Sequence, residues 1–288
     1  MQQYDVIIAN VVIRFTYLQH VNISPFAAQY FLIKDANPDI FIEVSAKDCV
    51  EGFELIKPEI TTVSWEMQKC KEGKRFNMHD QDNIIATLFV NHCYTYAHLC
   101  IQNDNMHDII PPLFTFLPVF SGFLLYKKMG FLFHGAMVEM AGHCIVLTGA
   151  SGAGKSTLSR LIQELGYAKW GDDRLVLTMD KNERTSYCHS TPFDLKLQSW
   201  TNKSCKVSAV LRLSHSQDGK NYLHRKDDAE EINKLLFANF IPFFEQKGLV
   251  EHFLLYRKIF RNVPIYDYAF TPDEKGVEGL KSILIEGA

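Results

Sequence analysis

The feature that most constrains this chain is the run from Cys144 to Gly166, CIVLTGASGAGKSTLSRLIQELG. It begins as an apolar segment of buried-strand character, passes through a glycine-rich turn and continues with the periodicity of an amphipathic helix. Gly149, Gly154, Lys155 and Ser156 stand at the fixed positions of the G-x-x-x-x-G-K-[ST] pattern, and Gly152 adds a third flexible point. Glycines at such positions let the backbone curl so that successive N–H groups point inward, and a helix starting near Lys155 adds its positive end to the same concavity. Gly149, Ala150, Ser151, Gly152, Ala153, Gly154, Lys155, Ser156 and Thr157 are therefore the candidate cradle for a polyphosphate, with a nucleoside triphosphate the natural guest. Lys155 is expected to bridge the β and γ phosphates, and the Ser156 hydroxyl to ligate the accompanying Mg²⁺. Leu158, Leu161, Ile162 and Leu165 recur at helical spacing, and Gly166 is the expected stop.

A phosphate loop leaves the acceptor open, and the next residues narrow it. Gly171-Asp172-Asp173-Arg174 follows a short apolar run and precedes another, which puts a carboxylate pair in a turn 17 and 18 residues beyond Lys155. One carboxylate near Mg²⁺ can hold the metal, and a second is useful where a hydroxyl must lose its proton as it attacks phosphorus. An Asp-Asp pair is also ordinary turn chemistry, so its meaning depends on the loop before it. Upstream, Phe131 to Gly135 followed by Ala136 to Met140, Ala141-Gly142 and then the strand of the glycine loop reads as a hairpin ending in the phosphate site, with His134 at a strand end.

The remainder of the 288 residues sets limits. At 47% hydrophobic and 22% charged, the chain folds around a real core. Thirty basic against 33 acidic residues, a net charge of −3, give no global attraction to nucleic acid or an anionic membrane. Seven scattered cysteines without a C-x-x-C spacing point to reduced thiols and a cytoplasmic setting. His92, Cys93, His98, Cys100 and His107 match no structural zinc spacing. The uncharged stretch Ile109 to Tyr126 is interrupted by Pro111, Pro112 and Pro118 and reads as a buried helix with Leu117, Phe120, Leu124 and Leu125 on one face, not a membrane span. No basic region precedes the first apolar residues, so no secretory signal is expected.

Val6 to Phe15, Phe31 to Lys34, Ile40 to Val44 and Ile84 to Val90 predict strands, whereas the polar stretch Lys69 to Asp82 predicts a long loop. Lys226 to Glu231 would place acids on the first turn of a helix carrying Ile232, Leu235 and Leu236. The organisation expected is a β-rich N-terminal domain over residues 1–110, with a substrate-related role, and a second domain over 111–288 that carries the nucleotide loop.

Taken together, HG at 134–135, GASGAGKST at 149–157 and GDDR at 171–174 resemble the catalytic core of HPr kinase/phosphorylase. STPFDLK at 190–196, AVLRLSH at 209–215 and NVPIYDYAFTPDEKGVEGL at 262–280 are more similar to a divergent branch that includes lasso-peptide serine kinases. The resemblance covers about residues 112–288 and implies an α/β fold of the P-loop kinase type, related to the ATP-dependent phosphoenolpyruvate carboxykinases, behind a smaller β-rich N-terminal domain. It implies His134 as an active-site histidine, Asp172 as metal-linked and Asp173 as the base for an acceptor serine, with the order of the two aspartates open. The Glu-Val-Arg-Gly-Leu-Gly signature of the carrier-protein kinases has no counterpart, and Asp194 is the candidate to replace its metal-assisting glutamate. The expectation is thus an ATP- and Mg²⁺-dependent phosphotransferase acting on an alcohol, a serine of a ribosomally made peptide or small protein, with a small alcohol metabolite or a purely regulatory nucleotide module as alternatives. Assembly into a homo-oligomer is implied only by the family. Arg212, Arg225, Arg257 and Arg261 are the candidates to contact the transferred phosphoryl group.

Overall fold

A computed structural model describes residues 2–17, 32–33, 36–46, 60–61, 65–80, 83–101, 117–193, 201–226, 230, 235 and 246–281. The architecture is mixed α/β and rich in sheet, and the chain separates into two compact units, residues 1–127 with 242–246 and residues 128–241 with 247–288.

The first unit is built on strands β1 (Gln2–Ile8), β2 (Val11–Tyr17), β3 (Leu32–Ile33), β4 (Ile40–Ala46), β5 (Ile60–Thr61), β6 (Trp65–Cys70), β7 (Gly73–Asp80), β8 (Asn83–Asn91) and β9 (Tyr96–Ile101), in the order β3-β1-β2-β4-β9-β8-β7-β6-β5. The single strand expected over Val6 to Phe15 is two strands. Ile8 pairs with Val11 across Ala9 and Asn10, whose φ of 51° and 64° make the tight turn of a two-residue hairpin. Within the loop expected over Lys69 to Asp82, Lys69 and Cys70 end β6 and Gly73–Asp80 form β7, because the polar side chains find partners across the sheet. Asn77 donates to Glu66 at 2.6 Å and accepts from Arg75 and Thr87 at 2.9 and 3.1 Å, which makes burial of polar strand residues tolerable.

The described part of the uncharged stretch forms a helix at Leu117–Tyr126 that belongs to the first unit. Its six consecutive residues Val119 to Leu124 are all buried, so it is enclosed rather than amphipathic. The cause is close packing: a Cβ on Gly122 would sit 2.1 Å from the ring of Tyr94. Among the described residues no helix is long and apolar enough to cross a membrane. The expectation of reduced thiols holds for Cys70, Cys93, Cys144, Cys188 and Cys205, but Cys100 is disulfide-bonded. Which thiols come within bonding distance is decided by the fold, not by sequence spacing. His98 bonds Ser45 at 2.9 Å and His92 the Lys71 carbonyl at 2.9 Å. His107 lies outside the described residues, as do most residues of the acidic tract.

The second unit contains β10 (Gly130–His134), β11 (Ala136–Met140), β12 (His143–Thr148), β13 (Ala168–Gly171), β14 (Arg174–Met179), β15 (Ser186–His189), β16 (Ser204–His215), β17 (Tyr222–Arg225) and β18 (Ile265–Phe270). The order runs β10-β14-β15-β16-β12-β11-β13, with β18 beside β16 and β17 beside β18. Strand β16 joins the two halves: its first residues pair antiparallel with β15, and its later ones lie parallel to both β12 and β18. The expected hairpin ending in the phosphate site is formed by β11 and β12. β11 pairs with β12 through Ala141 and Gly142, both at positive φ, while β10 turns away at Gly135 to pair with β14.

The helix Lys155–Glu164 lays Leu158 and Ile162 on Ile145, Leu147, Leu211, Tyr268 and Phe270. Full burial of each of those two side chains contributes about 1.5–3 kcal/mol. The helix ends where expected: Gly166 has φ 85°, its N–H bonds the Gln163 carbonyl at 3.0 Å, and the Tyr167 N–H bonds the Ile162 carbonyl at 3.2 Å, a Schellman closure. On β10, Phe131 stacks on Tyr256 and Phe133 packs at a tilt against Phe260, both of the helix Gln246–Phe260.

Candidate functional site

Strand β12 ends at Thr148 and the chain enters the glycine loop, with Gly149, Gly152 and Gly154 at φ of 148°, 80° and 94°. Two of these positions exclude a side chain on separate grounds. A Cβ on Gly149 would lie 2.9 Å from that of Ala153 and 3.0 Å from the Leu213 carbonyl, and one on Gly154 would lie 2.6 Å from the Phe270 ring. The loop thus packs directly on the ends of β16 and β18. Ala153 bonds back to the Ala150 carbonyl at 3.1 Å, and Leu158 to the Gly154 carbonyl at 2.8 Å, starting the helix.

Lys155 is 9% exposed and folds back over its own loop, donating to the carbonyls of Gly149 at 2.8 Å and Ala150 at 3.2 Å. An ammonium has three donors, so one is left for another acceptor. Burial pulls its pKa below the ordinary lysine value, and the nearby charges of Asp172 and Asp173 partly restore it.

The two aspartates occupy the β13–β14 turn and differ in character. Asp172 is 9% exposed; one carboxylate oxygen is held by Lys169 at 2.7 Å and the other by the Asp173 N–H at 3.1 Å. Asp173 has φ 71°, the left-handed geometry that Asp tolerates better than most residues, and its side chain is 44% exposed. It lies 3.4 Å from His134 Nε2 and 3.8 Å from Arg174 Nε. The backbone ties the pieces together: the Gly135 N–H bonds the Asp173 carbonyl at 3.3 Å, and Thr148 Oγ1 donates to the His134 carbonyl at 3.2 Å. His134 is depressed below the ordinary imidazole value, chiefly by burial and then by the Lys155 charge, with Asp173 acting the other way.

His134, Ser151, Gly152, Gly154, Lys155, Ser156, Thr157, Asp172 and Asp173 line one cavity of about 410 Å³, together with His215. Of the remaining loop residues, Gly149 and Ala150 line a neighbouring cavity and Ala153 packs against the core. Asp194 lies outside the described residues. Among the arginines considered, Arg212 lines the neighbouring cavity with Gly149 and Ala150, and both its Nε and Nη2 are bonded to Asp267.

Three contributors were not found from sequence. Lys169 neutralises Asp172, and the signal for it was a charged residue on a short strand three positions before the carboxylate. His215 bonds the Gly152 carbonyl at 2.8 Å from the end of β16, and no local pattern announces it because the two are 63 residues apart. Thr191 donates to the Arg174 carbonyl at 2.5 Å and fixes the far side of the aspartate turn.

No family model matches the chain, and no curated protein matches it. Among solved structures, the HPr(Ser) kinase/phosphatase from Coxiella burnetii is similar over 52% of this chain and 93% of its own, at 13% identity and a TM-score of 0.32. That is a weak structural resemblance, and at this level it establishes neither family nor activity.

Proposed function

We propose that this chain is an ATP- and Mg²⁺-dependent kinase that phosphorylates an alcohol, with a serine of a ribosomally made peptide or small protein as the acceptor. The observation that carries the reading is the convergence of Lys155, Ser156, Asp172, Asp173 and His134 on one cavity of about 410 Å³. Phosphoryl transfer asks a protein mainly for positioning and charge neutralisation, and these are the groups that supply both. The serine acceptor rests on the sequence similarity of residues 190–196, 209–215 and 262–280 to modified-peptide kinases.

In this reading the inward N–H groups of the loop and the third donor of Lys155 hold the polyphosphate. The donor set available for a cation, the Ser156 hydroxyl and the aspartate carboxylates, is all oxygen and suits a hard dication that keeps phosphate and water among its ligands. Mg²⁺, when bound, neutralises charge on the polyphosphate. Asp172 is the metal-linked carboxylate: its position is fixed by Lys169, and carboxylate oxygens retain lone pairs beyond the two bonds it accepts. Asp173, more exposed and beside a histidine held toward neutrality, takes the proton of the acceptor hydroxyl.

The test is incubation with MgATP and either a serine-bearing precursor peptide encoded near this gene or a panel of small alcohols, followed by mass spectrometry. Phosphate on the peptide, absent with Lys155→Ala, supports the proposal. Phosphate only on a small alcohol replaces the acceptor class, and tight ATP binding without transfer to any acceptor contradicts the kinase reading.

A further inference from the structure

A second cavity, about 660 Å³, opens beside the first residues of the glycine loop and is lined by Thr148, Gly149 and Ala150 together with side chains of β16, β17 and β18. Its walls follow from register. Thr148 pairs with Arg212, Arg212 with Asp267, and Asp267 with His224, giving one polar row across four strands. The next row outward runs Ser214, Ala269, Tyr222. Two residues inward the same face reads Val146, Val210, Ile265, wholly apolar. Because side chains alternate, this is the face opposite the one on which Leu147, Leu211 and Tyr268 receive the helix Lys155–Glu164. Across these three rows polarity therefore appears toward the carboxyl ends of the parallel strands β12, β16 and β18, where open α/β sheets bind ligands.

Two pairs of planar side chains stand in the lining of this cavity, beside Leu213 and Leu235. The Tyr222 ring, 40% exposed, stands 6.3 Å from the His224 imidazole with 12° between their planes. Arg212 and Asp267 form a flat two-bond pair at 2.5 and 2.8 Å. The acceptor hydroxyl has its place on the other side, since Asp173 and His134 face the 410 Å³ cavity. A ligand with a phosphate tail in the loop and a flat, mostly apolar head would fill what remains. We propose that this second cavity seats the nucleoside of the bound nucleotide, with the base stacked on Tyr222; the inference rests on the reading of the loop as a polyphosphate cradle.

Titration calorimetry with two probes, MgATP and magnesium tripolyphosphate, separates the two claims. Tyr222→Ala should weaken MgATP by about five- to 150-fold, the usual loss of one base–aromatic stack, and leave tripolyphosphate affinity unchanged. Tyr222→Phe keeps the ring and removes only the hydroxyl that bonds Asp218 at 2.6 Å, so it should bind MgATP like the wild type. Equal weakening of both probes by Tyr222→Ala, no weakening of MgATP, or a Phe variant as impaired as the Ala one overturns the nucleoside assignment while the cradle stands. A wild-type protein that binds neither probe, or tripolyphosphate binding indifferent to Lys155→Ala, overturns the cradle and the nucleoside assignment with it.

Discussion

Replacing His252 with phenylalanine should remove much of the acid sensitivity of the second unit. His252 is 2% exposed, stacks on Phe131 at 5.1 Å and on Tyr256 at 6.1 Å, and its Nδ1 has no hydrogen-bond partner. Burial pushes its pKa from 6.5 down to about 4, so the folded protein keeps the ring neutral while the unfolded chain protonates it below 6.5. A group whose folded pKa is depressed contributes stability above the unfolded value and loses it as pH falls through the window between the two. Within that window, from 6.5 to about 4, the loss is about 1.4 kcal/mol per pH unit for each such histidine. His189, also buried with its pKa lowered to about 4, adds a second slope of similar size, and the depressed His134 acts in the same direction. His252→Phe removes one of these slopes. At neutral pH it also relieves an unpaired buried polar atom, worth about 1–3 kcal/mol, against which the larger ring sets a packing cost of similar size. Urea unfolding at half-unit steps from pH 7.5 to 4.5 reads the slope directly. A variant with the same pH dependence as the wild type would refute the assignment of His252 as a neutral buried group.

The two aspartates should separate kinetically: Asp173→Asn lowers transfer by about 10²–10⁴ with ATP affinity nearly unchanged, the usual effect of losing a general base. Asp172→Asn instead raises the Mg²⁺ concentration at half-maximal rate, and a rate-against-Mg²⁺ titration of both variants checks the division of labour. Gly154→Ala meets both a left-handed backbone and the Phe270 ring at 2.6 Å, so it should destabilise by more than the about 1–2 kcal/mol of the backbone effect alone. Gly142→Ala, at φ 82° with nothing within 4 Å, should show only that backbone effect, and parallel denaturation curves compare the two.

What was legible in the sequence was what depends on neighbours along the chain. The strand, glycine loop and helix from His143 to Glu164 were readable because apolar periodicity and glycine positions are local signals. The β6–β7 hairpin was missed for the opposite reason. Lys74, Arg75 and Asn77 look like loop residues until Glu66, Thr87 and Tyr94, distant in sequence, supply their partners. The turn at Ala9 and Asn10 was missed because Ala at positive φ carries no sequence warning. At the candidate site, the residues singled out in the loop and the aspartate turn come together around one cavity, while His215 and Thr191 act through contacts between residues far apart in sequence and Lys169 through a pair three residues apart that the sequence reading passed over.

The central claim is that the cavity formed by the glycine loop and the aspartate turn transfers phosphate from ATP, and isotope-labelled transfer tests it most directly. ATP labelled in the γ phosphate is incubated with Mg²⁺, the protein and a serine-bearing precursor peptide, with wild type, Lys155→Ala and Asp173→Asn run side by side. The account predicts label on the peptide serine for the wild type, none for Lys155→Ala, and a rate lowered by about 10²–10⁴ for Asp173→Asn despite retained ATP binding. Label transfer that survives Lys155→Ala at the wild-type rate would contradict it.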